Sequence, residues 1–146
     1  MTAKEYLSQI YWLNRIINNK LEQKEELEAM AERTTVTITQ DRVIGGVGTT
    51  SPMEDATVKL IDLSHEINDD IDELIDLKKE IQETINKVGD YRHKAILEMR
   101  YINNKGWADI ANTIGYDTRY TMKLHKVALN KIDGILKEDT KRHLMS

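Results

Sequence analysis

WADIANTIGYDTRYTMKLHKVA, residues Trp107–Ala128, is the stretch on which the reading of this chain turns. A short apolar helix ends at a glycine, and a second helix follows with cationic residues along one side. Two helices crossing steeply at close range need a small residue at the crossing, and Ala111 is placed for it. The turn needs a residue that accepts positive φ, which Gly115 supplies, and the second helix needs inward positions to fix the angle, Thr121 and Leu124. With Ile110 these residues form a set in which each type answers a packing demand made by the others, the pattern of a helix-turn-helix. A plain helical hairpin uses the same elements, so the surrounding sequence has to distinguish the two.

With Ile110, Ala111, Gly115, Thr121 and Leu124 facing inward, Thr118, Arg119, Met122, Lys123 and Lys126 are left outward on the first turns of the second helix. In a helix-turn-helix those turns enter the major groove. Thr118, Arg119, Met122 and Lys123 are therefore the expected base contacts, with Arg119 the residue whose fork matches the two acceptors of guanine. Lys126, Lys105 and Arg100 are expected at phosphates. Lys131 reads as a solubilising surface cation, and Trp107 as a plug over the helix crossing.

Charge is distributed to match. Residues 1–91 carry 10 Lys/Arg against 19 Asp/Glu, whereas residues 92–146 carry 11 against 6, within an overall formal charge of −4. A basic final third on an acidic body is the footprint of a nucleic-acid module carried by a different part. The chain has 146 residues, 5 % aromatics and no Phe, with 32 % of residues charged, a composition that suits long solvated helices more than one large core. It has no cysteine, which excludes disulfides, thiolate chemistry and zinc fingers. No apolar run approaches the roughly 18 residues of a membrane span, and the start lacks a signal-peptide pattern. A cytoplasmic protein without membrane attachment is expected.

Upstream, residues 2–33 read as one helix, with Leu7, Ile10, Ile17 and Leu21 in a stripe that also takes Asn14. Residues 34–52 break the pattern: Thr34–Thr39 alternates Thr with Val and Ile, as in a short strand, and Gly45, Gly46 and Gly48 follow, so a connector is expected. The glycines lack the Lys-Ser/Thr of a phosphate loop. Ser51, Pro52 and Glu54 then mark a helix start. From Met53 the residues Leu60, Ile67, Leu74, Ile81 and Val88 recur every seven, with Leu63 and Leu77 between and Ile71 and Ile85 one position further on, a coiled-coil seam ending at Gly89. The two helices, roughly 48 Å and 55 Å long, imply an antiparallel hairpin over residues 1–89. Two helices bury little alone, so the hairpin is expected to pack on a second copy or on the last helices. Residues 90–137 fit a three-helix domain, with Asp90 and Asp117 as caps and Ala95, Ile96, Met99 and Ile102 as the face of its first helix. Residues 138–146 read as a flexible tail. The fold class is all-α.

The stretch LEMRYINNKGWADIANTIGYDTRYTMKLHKVALNKI resembles the terminal helix-turn-helix (region 4) of bacterial sigma factors, through Leu97, Arg100, Tyr101, Trp107, Asp109, Ile110, Ala111, Gly115, Ala128 and Leu129. Thr121 departs from that pattern, which buries Val. The chain as a whole, including MTAKEYL and Asp76–Ile81, is similar to small, largely uncharacterised phage and prophage proteins of Gram-positive bacteria that are related to late-gene regulators. The resemblance implies a regulator of late phage genes; with the helix-turn-helix pattern and the coiled-coil seam, a protein that binds double-stranded DNA as a homodimer is expected. The resemblance also leaves two other functions open: an interaction protein that binds RNA polymerase or another regulator, and a small-terminase-like packaging component.

Catalysis finds little footing. Asp69 with Glu73, Asp72 with Asp76, and His65 offer carboxylates and an imidazole at helical spacing, but without a calcium loop or a second ligand cluster they read as a solvated face. His93, His125 and His143 stand singly. No enzyme activity, cofactor or metal is expected.

Overall fold

The computed structural model describes residues 1–40 and 52–145, with side chains for 1–33 and 54–145. Five α-helices follow in order: α1 (Ala3–Gln40), α2 (Pro52–Asn86), α3 (Tyr91–Leu97), α4 (Trp107–Ile114) and α5 (Thr118–Met145), with a π-helical turn, Glu98–Ile102, directly after α3. There is no strand among the described residues, and the fold is all-α. No described helix is long and apolar enough to cross a membrane.

The strand expected at Thr34–Thr39 is not formed, because α1 continues helically to Gln40. β-branched residues lower helix propensity by less than about 0.7 kcal/mol each, and adding residues to a helix already nucleated avoids the larger cost of starting one. The Gly45–Gly48 run and the Ser51 cap lie outside the described residues.

The chain forms two compact units, one of Met1–Leu13 with Leu74–Ser146, the other Asn14–Glu73. In the second, α1 and α2 meet along a seven-residue register. Ile17, Ala56, Leu63 and Ile67 are buried and Leu60 is half-buried. Lys20, three residues after Ile17, takes the next inward place and donates to the Asp70 carboxylate at 2.6 Å, with Glu66 at 3.9 Å. The Asp70 hydrogen bond raises the Lys20 ammonium above its ordinary range. Leu21, expected in the stripe, is 40 % exposed. The seam runs through Ile17 and Lys24, seven apart, with Lys20 and Leu27, also seven apart, on its other line, and Leu21 falls one residue beside it.

The first unit holds the main core: Leu7 and Ile10 of α1, Ile81 and Ile85 of α2, Val88, Leu97, Tyr101, and Ala128 and Ile132 of α5. Leu74 packs against it, half-buried. Each large aliphatic residue removed from water here contributes about 1.5–3 kcal/mol. The compact units therefore do not divide at Asp90: the hairpin's outer ends share one core with the last helices. At the start of α1, Thr2 Oγ1 accepts the Glu5 N–H at 3.2 Å, and the Ala3 N–H donates to the Asp133 carboxylate of α5 at 2.8 Å. A helix N-terminus leaves such donors without partners inside the helix, and here another helix supplies one. Tyr6 shares a 3.1 Å hydrogen bond with Thr84 and reaches Glu80 at 3.4 Å. Tyr6 and Lys20 lie fourteen residues apart, as do their partner sets Thr84/Glu80 and Asp70/Glu66 in reverse order.

The expected tail at 138–146 is helix as far as Met145. Nothing in that stretch breaks a helix, the Thr140 hydroxyl donates to the Leu136 carbonyl at 2.9 Å, and Lys87 meets Asp139 at 3.3 Å. Arg142 and His143 stand in the last turn, where the helix dipole favours cations.

Candidate nucleic-acid interface

Helix α4 ends at Gly115, whose φ of 80° is left-handed. The Ala111 carbonyl accepts from both Gly115 N–H and Tyr116 N–H, at 3.0 and 3.2 Å, closing the helix. Two residues later the Asp117 carboxylate accepts the Tyr120 N–H at 2.7 Å and opens α5, as expected of it. Asp90 caps α3 in the same way, accepting the Arg92 N–H at 2.8 Å.

Between α4 and α5 four of the five residues expected to face inward are buried, Ile110 0 %, Ala111 4 %, Thr121 0 % and Leu124 6 % exposed, whereas Gly115 is exposed in the turn. Ile96 joins Ile110 and Leu124 in a small second core, against which Met99, Trp107 and Ile114 pack. Thr121 replaces the expected valine without cost in unpaired polarity, because its hydroxyl donates to the Asp117 carbonyl one turn back, at 2.8 Å. The outward set, Thr118, Arg119, Met122, Lys123 and Lys126, is exposed throughout, and so is Lys105. Arg119, Lys123 and Lys126, at spacings of four and three, line one side of α5 with cations.

Arg100 departs from its expected place at phosphate. Its guanidinium lies 4.9 Å from the centre of the Trp107 ring and donates to the Lys105 carbonyl at 3.0 Å, so it braces the turn before α4. Trp107 is half-buried and meets the His125 ring edge-on at 4.5 Å, as a plug should. Lys131 is exposed, and its ammonium donates to His93 Nδ1 at 3.0 Å. Burial, with the Lys131 charge, lowers the affinity of His93 for a proton.

Three features have no counterpart in the expected site. The first is a buried pair: Tyr101 and His125 share a 2.7 Å hydrogen bond and stack at 5.7 Å. Burial, then the nearby charges of Arg100 and Lys4, pushes the His125 imidazole down to about 4, and burial raises the Tyr101 phenol, so both groups are neutral. His125 follows Thr121 by four residues on the buried side of α5, a signal that the 3.6-residue period carries and that solitary reading of the histidines missed.

The second is the π-turn. Asn103 N–H donates to the Glu98 carbonyl, five residues back, at 3.0 Å. The expected single helix over 91–103 would have buried Ala95, Ile96, Met99 and Ile102. Ile96 is buried as expected, Met99 and Ile102 pack against the cores and Ala95 is half-buried; Leu97 and, within the wider turn, Tyr101 are buried in addition. The third is an exposed aromatic group at the tip of α5: the Tyr116 and Tyr120 rings meet edge-on at 5.0 Å, and Arg92 donates to the Tyr120 hydroxyl at 3.4 Å. Asp90, 3.4 Å away, holds Arg92, and the guanidinium in turn draws the Asp90 carboxyl down to about 2.

On α2, Asp70 of the acidic run is engaged by Lys20, and among the described residues no three His, Asp or Glu side chains are grouped to hold a metal. No curated protein and no solved structure matches the chain. Residues 32–133 match the family described as "Protein of unknown function (DUF1492)", a span that covers more than half of the chain and includes α4 and the first half of α5. The chain belongs to the DUF1492 family.

Proposed function

We propose that this protein binds double-stranded DNA sequence-specifically, with α5 as the recognition helix, and that it regulates transcription of phage or prophage late genes as a homodimer. One observation carries the reading. Ile110, Ala111, Thr121 and Leu124 are buried on the two sides of a left-handed Gly115, while Thr118, Arg119, Met122, Lys123 and Lys126 remain exposed on the first turns of the following helix. That division is the one a recognition helix requires, with buried residues fixing the crossing angle and polar and cationic ones free for base edges and phosphates. The sigma-like spacing of Leu97, Tyr101, Trp107 and Ala128 supports the same reading. The basic final third supplies the charge that backbone contacts use.

A second reading draws on Tyr116, Tyr120 and Met122, which are exposed by 39 %, 39 % and 40 % at the same tip. Tyr and Met are enriched in protein interfaces. This favours an interaction protein that presents the tip to RNA polymerase with little DNA affinity of its own. Gel shift with upstream fragments of the source genome, repeated across salt, separates the two. The first reading expects retention of particular fragments, weakening linearly in log–log salt by about 0.9 per neutralised phosphate. Absence of any shift together with polymerase pull-down supports the second.

A further inference from the structure

Helix α2 carries a second heptad stripe beside the one it uses internally. Ala56, Leu63 and Ile67 are buried against α1, but Ile61, Ser64, Asn68 and Ile71, each one residue past a seam position, repeat the same three–four–three spacing around the helix. Ile61 is 53 % exposed, Ile71 38 %, Asn68 is exposed and Ser64 is half-buried. The stripe contains no charged residue, although a third of the chain is charged. A stripe at this spacing fits a partner helix carrying the same spacing.

We infer that this stripe is the contact between two copies of the chain, packed with their α2 helices antiparallel. Antiparallel coiled-coil packing sets each position of one type opposite the other type on the partner. About a two-fold axis between Ser64 and Asn68, Ile61 then meets the partner's Ile71, and Ser64 meets the partner's Asn68. Each apolar layer is apolar on both sides, and each hydroxyl has an amide to bond. Such a contact is isologous, one patch serving both copies. Charge excludes the parallel alternative. Parallel helices would set Asp69, Asp72 and Glu73, all exposed, beside the same three residues of the partner. The antiparallel register moves that run beside residues 56–63, which hold Lys59 and Asp62 and are neutral in sum.

This contact deepens the proposed homodimer, on which it rests, and its test needs no DNA. The chain has no cysteine, so single thiols can be introduced cleanly. Ile61→Cys and Ile71→Cys lie about 15 Å apart along α2, and disulfides form only where Cα atoms come within about 7 Å. Full-length variants are oxidised mildly, alone and as a mixture, with Asp69→Cys as the control. The mixture is expected to give the cross-linked dimer several-fold above either variant alone, and light scattering of the unaltered chain to give twice the monomer mass. Three results overturn the proposal: disulfides of Ile61→Cys or Ile71→Cys with itself as the main product, no product above the Asp69→Cys control, or a monomer by light scattering at micromolar concentration. Cross-linking as expected in a protein that shifts no DNA strikes the DNA reading and leaves the dimer standing.

Discussion

Arg119 and Lys126 lie seven residues apart on α5, both exposed, and the account gives them different work. Arg119, in the first turn, is set to read a base, so Arg119→Ala should cost about 1–3 kcal/mol on the best site and little on the rest. Lys126→Ala should weaken binding alike on all sequences and reduce the salt slope by about one. Competition binding on matched and mutated sites measures both. His125 carries a prediction of another kind. The unfolded imidazole takes a proton below its ordinary 6.5 and the folded one only near 4. Across that window the unfolded state binds more protons, so stability is full above pH 6.5 and falls as the pH is lowered towards 4. His125→Gln, which keeps an acceptor for Tyr101 without titrating there, should flatten that part of the melting-temperature profile. Other residues of this region were legible for a local reason. Ile110, Ala111, Gly115 and Thr121 answer packing demands made within a dozen residues, whereas the use of Arg100 depends on where Trp107 finally rests.

Two helices show what periodicity conveys and what it omits. The heptad of α2 was readable from Leu60 to Val88 because a seven-residue repeat survives wherever the partner helix lies. The Leu21 stripe of α1 was not, since the lines through Leu21 and through Lys20 both keep a seven-residue spacing and only the place of the partner helix decides between them. The π-turn left no mark in composition, because moving one hydrogen bond from four residues back to five changes no residue type. In α5, Gly134 lies within the helix and an added Cβ there would meet nothing within 4 Å. Gly134→Ala should therefore stabilise the protein by about 0.5–1 kcal/mol, measured by chemical denaturation. Asp133→Ala, one residue earlier, removes the acceptor for the Ala3 N–H and should cost about 1 kcal/mol.

In the unit of residues 1–13 and 74–146, the start of α1 and the end of α2 share a core with α5. The all-α class of the chain followed from pattern alone, but its division into units did not. The faces of Leu7, Ile10, Ile81 and Ile85 are apolar whichever partner covers them, so sequence left a second copy and α5 equally fit to do so. That α5 shares this core gives the helix proposed to enter the groove a rigid mount. The account stands or falls on what the exposed turns of α5 meet. Selection of the full-length protein against a random double-stranded DNA library, at two salt concentrations and with Arg119→Ala in parallel, tests it most directly. The account predicts one enriched motif for the unaltered protein, kept at higher salt, and loss of preference at a guanine of that motif in the variant. Recovery of no motif from the unaltered protein at either salt would contradict it.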